Sequence, residues 1–579
     1  MASDIKKILS RGLAKYLGLS EDAFLPIIEV PPDPAFGDFA VPCFSFTPQM
    51  KKNPTQIASQ FAEQITEQII HEISISPVTD SRSLIKSTEA KGPYLNIFVN
   101  REYIVRAVLE ELSCTDLESP KESGRGKTVV IDYSSPNIAK PFGIGHLRST
   151  VIGGALKKIY EYLGYSVIGI NHLGDWGTQF GKLITAFRKW GDEGELNRTP
   201  IHYLYDLYVK FHKDAEINPS LDEDARRWFN RLEQGDGEAL SLWERFRVLS
   251  IEEFKKIYHR LGVSFEYYTG ESFYSDKLEQ TIQEVTACGI TTESEGALIV
   301  PLEEGLPPAL LRKSDNSTLY LTRDIAAALY RQRTYHFDLA LYVVGSPQTL
   351  HFRQLFSLLK KMRFQWYSRC HHVPFGQIRF EDRSMSTRKG NVVFLEEVLD
   401  KSVQLARAII EEKNPELPNK DEVAEAVGVG SIIFNDLKNN RIKDVVFNWD
   451  EILNFNGETG PYLQYTYARI QSLLNKYVQT HGDIGFTDGL PFGEEGYALV
   501  LLLNEFDSVI LRAAHEFEPS IIARYMLEVA SQFNSFYNTH RVVSQDRMLS
   551  LSRILLVQGV MKVLGKGLTL LGVKTVDEM

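Results

Sequence analysis

Residues 128–170 read TVVIDYSSPNIAKPFGIGHLRSTVIGGALKKIYEYLGYSVIGI, and the fold is decided there. Thr128–Asp132 is a short apolar run of the kind a strand buried on both faces needs. Ser134 to Gly145 is rich in proline and glycine and reads as a loop. His146 to Leu163 carries apolar residues at helical spacing and meets a C-terminal stop at Gly164. Ser166–Ile170 is a second strand. Strand, loop, helix and strand in that order make a βαβ unit, the opening of a Rossmann-type doubly wound sheet.

Working outward, the upstream sequence has a different texture. Ile5 to Leu17 and Pro54 to Ile75 show helical spacing, separated by a loop at Pro31–Pro34, and Tyr94–Val99 alternates as a strand. The polar run Glu118 to Gly126 reads as a linker. Downstream, Gln179 to Phe265 reads as a helical insertion, and further strands are expected at Ala297–Pro301, Leu339–Val344 and Val392–Phe394. From Thr459 onward the pattern is nearly all helix, with a loop at Gly482–Gly496. A chain of 579 residues is too long for one core, and about four domains are expected.

Composition excludes some function classes. With 64 basic against 75 acidic residues the formal charge is −11, which argues against indiscriminate nucleic-acid binding but leaves room for a local basic face. No apolar stretch approaches the ~20 residues of a membrane span. Near the C-terminus the run Ala498 to Leu503 soon gives way to polar residues, and Met1 to Arg11 lacks the apolar segment of a secretory signal. A cytoplasmic location is the default. Cys43, Cys114, Cys288 and Cys370 form no CxxC pair and read as buried free thiols. Cys370, His371 and His372 are adjacent and cannot all face one ion, so no metal site is expected.

Two segments carry chemistry. Gly143-Ile144-Gly145-His146 sits between a strand and a helix N-terminus, where glycines admit a nucleotide and the helix end favours its phosphates. Met385-Ser386-Thr387-Arg388-Lys389-Gly390-Asn391 combines hydroxyls, two cations and a glycine suited to neutralising a triphosphate. Alone, the first is as compatible with a plain turn and the second with a solvated basic loop.

Together they resemble the HIGH and KMSKS elements of class I aminoacyl-tRNA synthetases, and the surrounding text resembles the arginyl-tRNA synthetase family. The resemblance rests on Ser134-Ser135-Pro136-Asn137-Ile138-Ala139-Lys140-Pro141, which leads through Phe142 into Gly143–His146, and on His146-Leu147-Arg148-Ser149-Thr150. It continues through residues 172–181 (HLGDWGTQFG), 320–324 (YLTRD), 385–391 (MSTRKGN), 460–465 (GPYLQY) and 533–537 (FNSFY). Two departures stand out: Gly143 replaces the first histidine of HIGH, and Ser384 and Thr387 replace two lysines of KMSKS. Lys140 sits where the family's substitute lysine is found, and would act with Arg388 and Lys389.

The resemblance implies an arginine–tRNA ligase using ATP, with Mg²⁺ on its phosphates and no resident metal. Tyr320 and Asp324 match the positions that hold the guanidinium, and on a helix they share a face. Asn137 and Gln348 match those that hold the amino-acid end; Glu271 and Asp132 are additional carboxylates. It implies that adenylate formation waits for bound tRNA, and that no editing domain is present. Residues 1–117 would be an α+β domain meeting the tRNA elbow, 118–127 a linker, and 128–380 the Rossmann-type catalytic domain. Residues 381–455 would carry the second signature and connecting helices, and 456–579 an all-α anticodon-binding bundle. Its RNA-facing candidates are Tyr462, Tyr465, Tyr467, Arg469, Phe533, Tyr537 and Arg541, although aromatics at helical spacing usually build core. A monomer is expected. The competing readings are a class I synthetase for another amino acid, a smaller nucleotidyltransferase, and a silent RNA-binding paralogue.

Overall fold

The computed structural model describes residues 5–17, 26–65, 84–303, 305–315, 317–379, 393–487, 489–493 and 496–579. The N-terminal module packs the helices Ile5–Leu17 and Pro54–Gln64 with β1 (Phe39–Pro42), β2 (Ile85–Lys91) and β3 (Tyr94–Val99). Its antiparallel sheet has the order β1–β3–β2, with Phe39 opposite Ile97. The helix Pro54–Gln64 begins at a capping box: the Asn53 side chain accepts from the Gln56 N–H, and the Asn53 N–H donates back to the Gln56 side chain. The helical spacing read through Ile75 can be followed only this far, because residues 66–83 lie outside the described residues.

The βαβ unit is formed by β4 (Thr128–Asp132), the helix Leu147–Tyr162 and β5 (Ser166–Ile170), the strands running parallel with Val130 opposite Ile168. Ala297–Val300 does not join this sheet. It is the middle of a separate antiparallel sheet made of β6 (Thr292–Ser294), β7 (Ala297–Val300) and β8 (Ala309–Arg312). The reason is local: Glu295 and Gly296 both take positive φ, 50° and 74°, the backbone of a tight hairpin that folds β7 onto β6. The parallel sheet instead recruits β9 (Leu339–Tyr342) beside β4 and β10 (Cys370–His372) beyond it, in the order β10–β9–β4–β5. The Cys-His-His run is thus a strand, and the His372 ring bonds to the Val344 carbonyl at 2.8 Å. Val392 lies outside the described residues, and Phe394 forms only an isolated bridge with Gly143. Because the chain leaves β4 toward β5 on one side and β9 on the other, a crevice opens at the carboxyl ends of these strands.

The helical insertion is present as Thr178–Trp190, Glu193–Arg198, Pro200–Ile217, Ser220–Glu233 and Gly237–Leu261. A two-stranded parallel pair, β11 (Ile378–Arg379) with β12 (Val445–Val446), ties the region before residue 380 to the connecting helices. The C-terminal bundle comprises Gly460–His481, Tyr497–Asn504, Phe506–Glu516, Ser520–Thr539 and Arg547–Leu571. That last helix is apolar enough on average to cross a membrane, although Lys, Arg and Gly interrupt every long run in it; 72% of its most apolar window is buried in the protein. Cys43 and Cys370 are buried, as expected of structural thiols, but Cys114 and Cys288 are exposed because they fall at helix C-termini.

One buried ion pair fastens the sheet to the connecting helices. Arg148, 1% exposed on the helix Leu147–Tyr162, places Nε 2.8 Å from Asp436 on the helix Lys420–Leu437 and donates from Nη1 to the Lys443 carbonyl at 2.7 Å. Removing one partner of such a pair strands the other charge. Arg148→Leu is therefore expected to cost about 3–5 kcal/mol, read as a melting temperature lower by several degrees; an unchanged melting temperature would contradict this account.

Candidate functional site

Asn171-His172-Leu173-Gly174-Asp175 leaves the end of β5 and forms the turn on which the candidate residues converge. Gly174 donates its N–H to Pro136 and accepts from the Ile138 N–H at 3.1 and 3.2 Å, so this turn runs alongside the loop after β4. A Cβ on Gly174 would stand 2.0 Å from Asn137 Oδ1, so the Asn137 side chain lies where any other residue would intrude. Leu173 accepts from the Glu271 N–H at 3.0 Å. The buried Asp175 carboxylate accepts from the Ser272 N–H and hydroxyl at 2.8 and 2.7 Å, fixing the segment that carries Glu271.

The loop after β4 holds an uncommon backbone. Ser134, Ser135 and Ala139 have φ of 70°, 48° and 57°, a region that costs an L-residue roughly 1–2 kcal/mol. Tertiary bonds maintain it: the Ser134 N–H donates to Ser149 Oγ and the Ala139 N–H to Ser250 Oγ, both at 2.9 Å. Such strain concentrates at functional sites. Pro136, Ile138, Pro141 and Phe142 are buried, whereas Asn137 is exposed.

Gly143 enters a short 3₁₀ turn, Ile144–His146, that runs into the helix Leu147–Tyr162; Gly145 is exposed with open space around it. His146 is pushed down to about 4 by burial and by the nearby positive charge of Lys140, so at neutral pH it is an uncharged imidazole with an N–H to donate. Lys140 donates to Gln179 Oε1 at 3.1 Å with its ammonium 5.3 Å over the Tyr208 ring. Met385, Ser386, Arg388 and Lys389 lie outside the described residues. Their flanks are tied to the first signature: the Ile144 N–H donates to Val393 O, and the Leu395 N–H to Phe142 O, at 3.0 and 2.9 Å. His202 also stacks on Phe394 at 4.4 Å between ring centroids.

The helix Tyr320–Tyr335 begins at Tyr320, which puts Asp324 one turn later on the same face. Tyr320 is 66% exposed. Asp324 Oδ2 accepts from His351 Nε2 at 2.5 Å, and Oδ1 lies 4.0 Å from His172 Nε2. Gln348, exposed, sits one turn before His351 at the start of the helix Thr349–Lys361. Glu271 lies 3.9 Å from Arg323, and its Oε2 finds no hydrogen bond among the described residues. Burial outweighs the Arg323 charge and pushes its carboxyl up to about 7. Asp132 is differently placed. It is committed to the buried guanidinium of Arg331 at 2.8 Å and accepts from Ser135 Oγ at 3.0 Å, so it serves the frame rather than presenting a carboxylate to a ligand. Sequence reasoning passed over His351, His172 and Arg331; the only signal was the position of His172 inside the quoted HLGD run.

In the C-terminal bundle the candidates divide. Arg469 lies 4.9 Å over the Tyr465 ring and 5.4 Å over that of Tyr537, and donates to Asn534 Oδ1 at 2.7 Å. Asn534 in turn donates to the Tyr462 hydroxyl at 2.9 Å. Tyr465 and Arg541 are exposed. Phe533 is fully buried and Tyr467 packs against Gly565, so these two are core, as helical spacing of aromatics usually implies.

Three family profiles match: "Arginyl tRNA synthetase N terminal domain" over residues 3–99, "tRNA synthetases class I (R), catalytic domain" over 108–449, and "DALR anticodon binding domain" over 463–579. An arginine–tRNA ligase of Halothermothrix orenii is 48% identical over 96% of this chain and 95% of its own. One of Alkaliphilus metalliredigens is 46% identical over the whole of both chains. The solved arginyl-tRNA synthetase of Thermus thermophilus superposes with a TM-score of 0.79 at 25% identity, over 99% of each chain.

The raised Glu271 carboxyl gives any cation bound beside it a thermodynamic signature. Were a guanidinium to bind at Asp324, it would favour the ionised form of Glu271, so binding near pH 7 would release a proton and tighten as pH rises through about 7. Calorimetry in two buffers of different ionisation enthalpy measures this; Glu271→Gln should abolish it, and equal heats in both buffers for the unmodified protein would refute it.

Proposed function

We propose, from the premise that this chain belongs to the arginyl-tRNA synthetase family, how its residues share the work of that reaction. The chain activates L-arginine with ATP to arginyl-adenylate and pyrophosphate, then transfers the arginyl group to the 3′ end of tRNA(Arg). The observation that carries the assignment of residues is the Asp324 carboxylate at the crevice mouth, one oxygen held by His351 and the other turned inward toward His172. A guanidinium is a planar fork of donors, and a carboxylate so fixed is its natural counterpart. Glu271 adds a second negative group as it ionises, and Tyr320 closes the outer side. A lysine ammonium would leave part of this acceptor set unmatched, a defect that can discriminate by ~10⁴ without editing.

Asn137 and Gln348, on the exposed rims after β4 and β9, suit the ammonium and carboxylate of the amino acid. This leaves the arginine carboxylate as the nucleophile on the α-phosphate. The glycine-flanked turn Gly143–His146 admits the nucleotide at a helix N-terminus, and neutral His146 donates to phosphate oxygen as charge builds. Lys140 on one side, with Arg388 and Lys389 of the second signature on the other, neutralises the departing pyrophosphate, and Met385 and Ser386 belong to that same segment. Mg²⁺ arrives with ATP; no group of three or more metal-ligating side chains forms among the described residues. Catalysis is then positioning and charge stabilisation, with no protein nucleophile.

The division of labour along the chain is the one the sequence suggests. Residues 1–117 meet the tRNA elbow and 118–127 link them to the catalytic domain at 128–380. Residues 381–455 carry the second signature and the connecting helices, and 456–579 read the anticodon loop. The Tyr465–Arg469–Tyr537 cluster, with Tyr462 joined to it through Asn534, and the exposed Arg541 offer faces on which unstacked bases can pack. The protein acts as a cytoplasmic monomer.

ATP–pyrophosphate exchange, with and without tRNA, across arginine, lysine, citrulline and ornithine, tests the whole scheme: exchange with arginine alone, enabled or strengthened by tRNA, is expected. Asp324→Ala should raise KM for arginine more than ~100-fold, since it removes a charge-assisted contact and leaves the guanidinium without its counter-charge. Lys140→Met should lower the activation rate more than ~10-fold, and a change within about threefold would remove Lys140 from the mechanism.

A further inference from the structure

His172 carries a proton arrangement that its surroundings dictate. Its Nδ1 lies 3.1 Å from the Thr269 carbonyl oxygen, which can only accept, so Nδ1 bears the hydrogen. Arg331 Nη2, 3.5 Å from the same nitrogen, is a donor facing a donor; it is held there by Asp132 at 2.8 Å, not by the imidazole. With the ring hydrogen on Nδ1 alone, Nε2 carries a lone pair and lies 4.0 Å from Asp324 Oδ1. Two acceptors therefore face one another across a gap too long for a hydrogen bond.

The contrast with His351 is informative. That ring presents Nε2–H to the other oxygen of the same carboxylate and closes to 2.5 Å. His351 completes Asp324 from outside, whereas His172 leaves a space beside it. The separation suits one NH2 group, because a nitrogen about 2.9 Å from each atom spans the 4.0 Å between them and directs one hydrogen to each. His172 is itself rigid: beyond Thr269, the Tyr274 ring packs against it at 5.6 Å, and the Gly174 pairing fixes its backbone.

We propose that His172 is a specificity-determining residue of the arginine site, whose Nε2 accepts one N–H of the substrate guanidinium while Asp324 takes its neighbours. A carboxylate alone attracts any cation. A neutral lone pair set beside it asks in addition for a donor at a second, fixed point of a planar group, which a guanidinium supplies and the carbonyl edge of a ureido group does not. The inference rests on the assignment of Asp324 to the guanidinium, and its test separates the two.

Pyrophosphate exchange is measured with saturating tRNA for the wild type, His172→Leu, His172→Gln and Asp324→Ala, with the melting temperature of each. His172→Leu keeps bulk but removes the acceptor and should raise KM for arginine about tenfold or more while KM for ATP stays within about twofold. His172→Gln, whose Oε1 can accept at a similar reach, should recover KM for arginine to within about threefold of wild type. An arginine KM unchanged in His172→Leu, an equal rise in both KM values, or failure of His172→Gln to recover arginine KM in a protein with wild-type melting would each overturn the proposal. If Asp324→Ala leaves arginine KM unaltered, the assignment of the whole site falls, and with it this inference; a large effect of Asp324→Ala beside a silent His172→Leu sinks the inference alone.

Discussion

The backbone pairing of the turn 171–175 with its neighbours is the constraint from which the rest of the crevice follows. Gly174 exchanges two hydrogen bonds with Pro136 and Ile138, Leu173 accepts from Glu271, and Asn171 donates to Tyr267 at 2.9 Å. These bonds join the loop after β4, the loop after β5 and the segment 267–272 into one surface. Side chains that are far apart in sequence then fall into register without needing to touch each other. Asn137 is placed by Gly174, Glu271 by Asp175 through Ser272, and His172 by Thr269. Backbone bonds of this kind resist displacement better than long side chains, whose ordering costs up to about 2 kcal/mol each.

The left-handed residues of the loop after β4 belong to the same logic. Ser134 is held against its preference by Ser149 and Tyr258 and Ala139 by Ser250, partners that sit on two different helices, while Ser135 bonds back to Asp132 within the loop's own strand. The loop after β4 is thus braced by the sheet helix beneath it and by the last insertion helix beside it. The insertion is consequently more than an appendage, since it completes the hydrogen bonding of that loop and, through His202 on Phe394, reaches the far flank of the second signature.

Much of the fold was legible because it is written in local periodicity. The βαβ unit at 128–170, the helical insertion and the C-terminal bundle follow from spacing that tertiary packing had no cause to override. What escaped was decided by partners distant in the chain. Ala297–Val300 has the composition of a strand for the main sheet, and only the positive φ of Glu295 and Gly296 sends it into a hairpin elsewhere. Cys370–His372 looks like an abortive metal cluster until β9 pairs with it. Of the candidate site, Asn137, Glu271, Tyr320 and Asp324 could be proposed from motif text, and the structure places them around the loops after β4 and β5 and on the helix Tyr320–Tyr335. Asp132 could be named but not understood, because its partner Arg331 comes 199 positions later and no pattern links the two. His351 stayed invisible for the same reason.

The helix Arg547–Leu571 has a reach that its distance along the chain from its partners gives a temporal meaning. Lys562 donates to the carbonyls of Leu112, Ser113 and Thr115 at 2.7, 3.1 and 3.4 Å, closing the exposed end of the helix Arg101–Cys114. Lys566 pairs with Glu118 at 3.0 Å, and Gln464 donates to the Lys574 carbonyl at 2.7 Å. Synthesis proceeds from the N-terminus, so more than four hundred residues are made before the carbonyls around Cys114 meet their permanent donors. A chain released early on the ribosome would carry an uncapped helix and an apolar bundle missing its central member. The helix Arg101–Cys114 thereby waits for partners made some four hundred residues later, which couples the order of synthesis to the order in which the two ends of the fold can close.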